Sequence, residues 1–281
     1  MTGSPLVSIV MPVRDPDPRH FPAAIESLLA QTLQAFELIV VEDAGERDTG
    51  QPVRSVTECL ARFDDDRIRH VENREPGIAS ARNRGIAEAR AELVAMLDAD
   101  DKCAPERLTA QSERMNAEPE LTLLGTQLRV IDEHDVETGG RRYPTLHEEI
   151  LRAMPIYNPI AQPSIMMRKA AVDAVGGYRD RTCEDYDLWS RLALDGARFA
   201  NLEEALVLYR LHTGAMKSRK LRASLRDTID IKREHWGGRQ SWRGRLRLLG
   251  EHGLLLLPPR LVMAIFQRLC MKHDMKHGAK A

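Results

Sequence analysis

Hydrophobic positions in the first hundred residues fall in short dense runs, separated by stretches with helical spacing. Val7-Ser8-Ile9-Val10-Met11 is a buried strand that Pro12 should end. Ile25, Leu28 and Leu29 recur at helical spacing between Ala23 and Gln31, and Phe36 to Val41 forms a second run that reaches Glu42-Asp43. Val53, Val56 and Leu60 share one face of a helix predicted from about Pro52 to Phe63, and a short strand follows at Ile68 to Val71. Gly77 opens a helix through Ala91, and Leu93 to Leu97 is the fourth strand. Apolar strands alternating with helices predict an α/β fold with a mainly parallel sheet covered on both faces. Ligands of such sheets sit beyond the carboxyl ends of the strands.

The second half is more mixed. Strand-like runs occur at Leu121 to Val130, Ser164 to Arg168 and Ala205 to Arg210, and Gly139-Gly140 reads as a turn. Pro155, Pro159 and Pro163 punctuate an irregular segment. A short helix ends at Gly176-Gly177-Tyr178, and another begins near Cys183-Glu184-Asp185 with Leu188, Trp189 and Leu192 at helical spacing. Trp189 is expected in the core.

Composition narrows the class. The chain has 281 residues, 43% hydrophobic and 30% charged, enough for one large α/β domain with an appendage. The cysteines (Cys59, Cys103, Cys183, Cys270) are scattered without a C-x-x-C pair, which suits a reducing compartment and not a zinc ribbon or disulfide framework. Met1 to Pro5 leads into the first strand with no signal-peptide pattern. The apolar stretch Leu254 to Leu269 is broken by Pro258-Pro259-Arg260, short of the roughly 18 apolar residues that a membrane span needs. The expected location is therefore cytoplasmic. The net charge of −1 hides an asymmetry: residues 217–281 hold 16 Lys and Arg against 5 Asp and Glu, a net of +11, which leaves −12 for residues 1–216. An acidic body with a basic tail argues against a nucleic-acid partner and for a tail that faces an anionic surface.

The fourth strand ends in Asp98-Ala99-Asp100-Asp101. Carboxylates concentrated at a sheet rim are costly to desolvate unless a cation or a donor-rich ligand answers them, and Mg²⁺ typically uses one or two protein carboxylates with a substrate's phosphates. The plainer alternative is a solvated acidic turn, with Asp101 capping the helix that starts near Pro105. Asp43 lies at a second strand end, where a carboxylate can accept the N3–H of uracil or start an Asx turn.

Seven segments in order resemble glycosyltransferase family 2, inverting nucleotide-sugar transferases of the GT-A fold, in the bacterial branch that builds exopolysaccharide, capsule or lipopolysaccharide. They are Ser8-Ile9-Val10-Met11-Pro12-Val13, Val40-Val41-Glu42-Asp43, Gly77-Ile78-Ala79-Ser80-Ala81-Arg82-Asn83, Leu97-Asp98-Ala99-Asp100-Asp101, Gly176-Gly177-Tyr178, Glu184-Asp185-Tyr186-Asp187-Leu188-Trp189 and Tyr209-Arg210-Leu211-His212. The resemblance covers roughly residues 6–218. It departs from the family at Arg14-Asp15, followed by a Pro-rich insertion, and at Glu42-Asp43-Ala44-Gly45, where the family usually has D-D-G-S. The Q-x-x-R-W motif of processive synthases is missing, which points to addition of a single sugar.

The resemblance implies a catalytic domain at residues 1–216 and a basic helical extension at 217–281. It places Pro12, Asp43, Arg82, Asn83 and Asp98 in the donor site, with Asp100, Asp98 and His212 around Mn²⁺ or Mg²⁺. Asp185 is implied as the base that deprotonates the acceptor, with Glu184 as its orienting neighbour. The bland alternatives are a solvated helix face for Arg82 and Asn83, and acids complementing the helix dipole for Glu184 and Asp185. The implied donor is a UDP-sugar, and the acceptor a saccharide or lipid-linked oligosaccharide. A nucleotide-sugar-binding subunit without catalysis is the rival function. For the tail, with Trp236, Trp242, Leu246, Leu248 and Leu249 among its arginines, three uses stay open: peripheral contact with the inner membrane face, packing on the catalytic domain, or a homodimer interface.

Overall fold

The computed structural model of the chain describes residues 4–43, 55–211, 216–238, 242–255 and 257. Strand β1 (Val7–Val13) runs parallel to β2 (Phe36–Asp43) on one side and to β4 (Leu93–Met96) on the other, and β3 (Ile68–Asn73) pairs parallel with β2. Side chains of β1 alternate between two cores. Val7, Ile9, Met11 and Val13 pack with Phe21, Ile25 and Leu28 of helix α1 (His20–Leu29), while Val10 joins Ala81 and Ile86 of the helix between β3 and β4.

Local chemistry sets boundaries that periodicity alone misses. Pro12 does not end β1, because pairing with β4 stops at Val10↔Met96 and the missing donor interrupts no ladder on that side. Helix α2 (Val56–Leu60) starts late at a capping box, in which Ser55 Oγ accepts from Glu58 N and Glu58 Oε2 from Ser55 N, both at 3.1 Å. Residues 52–54 of the predicted helix lie outside the described residues. Helix α3 (Ile78–Glu88) stops short of Ala91 because two N–H groups are diverted to side chains: Arg90 N to Glu37 Oε1 (2.8 Å) and Ala91 N to Ser8 Oγ (2.9 Å).

Beyond β4 the sheet becomes mixed. The further elements are β5 (Lys102–Cys103), α4 (Arg107–Ala117), β6 (Leu121–Ile131), β7 (Glu137–Arg141), α5 (His147–Ala153), β8 (Met166–Arg168), α6 (Lys169–Ala174), α7 (Glu184–Leu194) and β9 (Arg198–Arg210). Strand order is β3-β2-β1-β4-β8-β6-β9-β5, with β7 paired to β6. Gly139 and Gly140 are not a turn; they lie in β7 opposite Val130 and Arg129. The turn is at Asp132 to Val136. There Asp132 Oδ1 accepts from His134 N (2.8 Å) and Val136 N (2.9 Å), and Asp135 takes a φ of 65°.

Helices α8 (Met216–Trp236) and α9 (Trp242–Leu255) follow. Trp236 is not membrane-facing: it is buried in the same core as Ala79, Tyr178 and Trp189, and its indole N–H donates to Ser190 Oγ at 2.9 Å. Trp189 is fully buried, as expected. Lys232, also buried, donates to both Glu251 oxygens at 2.6 and 2.7 Å and so ties α8 to α9. No helix among the described residues is long and apolar enough to cross a membrane.

Candidate active site

The carboxyl ends of β1, β2 and β4 bring Arg14, Asp43 and Asp98 to one rim of the sheet. Helix α3 begins at this rim. Gly77 caps it with a φ of 129°, and its N–H donates to Asp43 Oδ1 at 3.0 Å. Asp43 Oδ2 accepts from both Nε and Nη2 of Arg14. Pro12 sits in β1 beside Val41, two residues before Arg14. At Gly85 a Cβ would run into the Val10 side chain, so glycine lets α3 lie close on β1 and β2. That close packing carries Arg82 inward over the rim.

Arg82 is the centre of the site. It is buried, its Nη1 donates to Glu184 Oε1, and its Nη2 lies 3.3 Å from Asp98 Oδ1. The guanidinium carbon is 5.6 Å from the centre of the buried Tyr178 ring. Tyr178 is held by Asn83, whose Nδ2 donates to Tyr178 O and whose Oδ1 accepts from Tyr178 N, both at 2.8 Å. Gly177 must be glycine: its φ is 69°, and a Cβ would strike Asn83 Oδ1. The Gly-Gly-Tyr segment thus forms the packing under Arg82, and Asn83 is the staple that fixes it.

Asp185, beside Glu184 in the first turn of α7, is half-buried. Its Oδ2 accepts from Asn158 Nδ2 at 2.7 Å and its Oδ1 from Tyr186 N at 2.7 Å. Asn158 is set in turn by Ile160 N, which donates to Asn158 Oδ1 at 3.3 Å. Asp101 does not cap α4. It is buried, and its Oδ1 accepts from Arg210 N at 2.7 Å, while Arg210 Nε donates to Asp100 O at 2.8 Å. Arg210 also reaches the β6–β7 turn through Asp132 O (2.6 Å) and Asp135 Oδ1 (2.5 Å), so β9 anchors the acidic loop. His212 lies outside the described residues.

The structure therefore brings Asp98, Glu184, Asp185 and Arg82 together, with Asp100 adjoining Asp98 and Asp43 held to the start of α3. Sequence reasoning did not single out Arg14 or Asn158 as site residues. No local motif marks Asn158, because it acts through Asp185, which is distant in sequence.

Electrostatics show a site short of positive charge. Burial raises the Asp98 and Asp185 carboxyls, with Arg82 pulling both back, and mutual repulsion adds to the rise at Asp98. Burial likewise lifts Glu184 to about 7. Asp101 is pushed well above the usual range by burial and by Asp98 and Asp100, and its Oδ2 has no hydrogen-bond partner among the described residues. The buried guanidiniums of Arg82 and Arg210 do not offset the five carboxylates of Asp98, Asp100, Asp101, Glu184 and Asp185. An oxygen donor set with surplus negative charge at an open rim fits a hard divalent cation, with Asp98 and Asp100 as the residues that would hold it. A second group, Asp187, Glu234 and His235, has suitable spacing but is an ion-pair network joining α7 and α8. Asp187 already meets His235 (3.0 Å), Arg191 (2.8 Å) and Arg181 (3.3 Å).

The raised Glu184 carboxyl gives a stability signature. Between its ordinary 4.5 and about 7 the folded state holds a proton that the unfolded chain has released. Its contribution is therefore complete at the acid end and is lost as pH rises through about 7. Chemical denaturation without divalent ions should show wild type losing about 2 kcal/mol more than Glu184→Gln between pH 5.5 and 8. Equal pH slopes in the two proteins would contradict the assignment.

Comparison with known proteins agrees with this geometry. The chain is 29% identical over 211 residues to the O-antigen biosynthesis glycosyltransferase WbnJ of Escherichia coli, covering 74% of this chain and 80% of that protein. It is 28% identical over 220 residues to the UDP-Glc:alpha-D-GlcNAc-diphosphoundecaprenol beta-1,3-glucosyltransferase WfaP of Escherichia coli, covering 76% and 82%. The fold matches that of the mannosyltransferase PcManGT from Pyrobaculum calidifontis, solved with GDP-Man and Mn²⁺, at a TM-score of 0.62 and 15% identity over 94% of this chain and 73% of that one. The family model for glycosyl transferase family 2 matches residues 8–176. This chain belongs to glycosyl transferase family 2, and it is a glycosyltransferase with the GT-A architecture.

Proposed function

We propose that the enzyme transfers a single sugar, with inversion, from a UDP-linked donor to a growing bacterial surface glycan carried on a lipid. The observation that carries this reading is the Arg82 bridge, which joins the strand-end acid Asp98 to the α7 pair Glu184-Asp185 across one cleft. In this reading Asp43 receives the base at the rim, near Pro12. Arg82 holds Glu184 beside the base and limits repulsion among the acids, and Asn83 keeps the platform under Arg82 in place. Asp185 takes the proton from the acceptor hydroxyl as its oxygen attacks the anomeric carbon. The bond from that carbon to the diphosphate oxygen breaks, and its electron pair leaves with the nucleoside diphosphate. Mn²⁺ or Mg²⁺ held by Asp98 and Asp100, with His212, would supply Lewis-acid stabilisation of the leaving diphosphate. Asn158, which donates to Asp185 Oδ2, orients the other oxygen toward the acceptor. UDP and a lipid-linked acceptor are also what the name of the relative WfaP specifies for that protein.

Among the described residues of the extension at 217–281, α8 docks on the catalytic domain through Trp236, and α9 is held by Lys232 to Glu251 and by Arg247 over the Tyr157 ring. Leu246 and Leu249 are exposed on α9 with Arg247 between them, in the most basic part of the chain. This face suits peripheral contact with the anionic inner leaflet, where a lipid-linked acceptor resides. Flotation with anionic liposomes at low salt should carry up the wild type, and Leu246→Glu/Leu249→Glu should remain in the soluble fraction. Equal behaviour of the two would remove the membrane role from this face.

Transfer itself is tested at Asp185. Asp185→Asn keeps the shape and removes the proton acceptor, so the rate should fall on the order of a thousandfold while UDP binding by calorimetry is retained. Transfer at the wild-type rate would remove Asp185 from the mechanism. A wild type that binds UDP yet releases none from UDP-sugars with acceptor present would favour a binding subunit.

A further inference from the structure

One cation at the cleft has no part in the transfer just described. Arg14 follows β1 directly, and the parallel register sets Val13 beside Glu42, so Arg14 falls beside Asp43. Its Nε (3.0 Å) and Nη2 both donate to Asp43 Oδ2, and Asp43 Oδ1 accepts from the Gly77 N–H. The two partners differ in burial: the Asp43 side chain is 4% exposed and that of Arg14 40%. The guanidinium therefore covers the carboxylate with its outer edge in the open cleft. Nη1, with two hydrogens, makes no contact among the described residues. Any ligand that reaches Asp43 from the cleft meets Arg14 on the same carboxylate.

We propose that Arg14 and Asp43 act as a donor–acceptor pair that reads the imide edge of the nucleobase, a specificity that rests on the nucleotide-sugar reading above. Asp43 accepts the imide N3–H, and Arg14 donates from its outer nitrogens to the C4 carbonyl, the one that cytosine replaces with an amino group. Uracil presents that pattern, an N–H flanked by two carbonyls. Cytosine in the same pose puts a ring-nitrogen lone pair against the carboxylate and an amino group against the guanidinium, so both contacts become repulsive. A carboxylate alone accepts any N–H, including the amino group of cytosine or adenine. Arg14 adds the demand for a carbonyl beside it. Lysine would keep the charge but lacks the planar fork needed to hold Asp43 and present a donor together.

Calorimetric titration of the full-length protein with UDP and CDP in Mg²⁺ tests this, because the two ligands share ribose and diphosphate and differ only in the base. Arg14 is exposed, and matching melting temperatures would confirm that its variants are folded. Wild type should favour UDP. Arg14→Lys and Arg14→Ala should each lose about tenfold or more in UDP affinity and bring UDP and CDP to within about threefold of each other. If Arg14→Lys keeps the UDP affinity and preference, Arg14 is only a counter-charge, and the inference is overturned. A loss shared equally by UDP and CDP would overturn it too, since the contact would then be to ribose or phosphate. A wild type that binds neither nucleotide would overturn both this inference and the nucleotide-sugar reading, whereas UDP binding with unchanged variants overturns this one alone.

Discussion

A guanidinium buried between carboxylates from distant parts of the chain is the constraint on which this site depends. Asp98 follows a strand of the parallel half of the sheet, and Glu184 starts a helix in the mixed half. Arg82 is the side chain that touches both. Burying such a cation is costly unless each partner stays in place, and removing one partner leaves an uncompensated charge. Most of the neighbouring structure serves to keep the partners there. Gly85 lets α3 approach the sheet, Asn83 fixes the Tyr178 loop, and Gly177 lets that loop pass close to Asn83. Arg191 of α7 donates to Val175 O and Gly177 O at 2.6 Å each and so closes the loop from the other side.

The two halves of the cleft are built differently. On the strand side the acids sit at the ends of β2 and β4, and their placement follows directly from a parallel sheet. On the helix side Asp185 depends on an Asx-type turn at Asn158, in a proline-punctuated segment without regular structure. Strand β9 ties the acidic loop to the β6–β7 turn, because Arg210 at its end bonds the Asp101 carboxylate, Asp100 O and Asp132 O together. The excess of carboxylate over guanidinium is the property that suits the cleft to a divalent cation.

The parallel half of the fold was legible because its strands are apolar on both faces and the intervening helices have clear amphipathic spacing. The acids at its rim were legible for the same reason, since a charged residue directly after a buried strand has few places to go. Boundaries were misjudged where a side chain captured a backbone N–H, as Ser8 and Glu37 do at the end of α3. Strand β7 was misread because two glycines signal a turn locally, while the turn that exists is made by Asp132 several residues earlier. In the sequence Arg82 reads either as a donor-site contact or as part of a solvated helix face. Its burial could not be read there, because Glu184 is 102 residues away along the chain. Trp236 likewise looked amphipathic in a basic tail, yet its indole fills a gap in the core against Ser190.

The central claim is that Arg82 and Glu184 stabilise the fold as a coupled buried pair, and a double-mutant cycle measures that coupling directly. Urea denaturation at pH 8, above the Glu184 value of about 7, would be compared for wild type, Arg82→Gln, Glu184→Gln and the double variant. Arg82→Gln alone should lose about 3–5 kcal/mol, because it leaves a buried carboxylate without its cation. Adding Glu184→Gln in that background should restore a substantial part of the loss, giving a coupling energy above about 1 kcal/mol. Additivity to within about 0.5 kcal/mol would contradict the account, because the two side chains would then act independently and the bridge across the cleft would not hold its halves together.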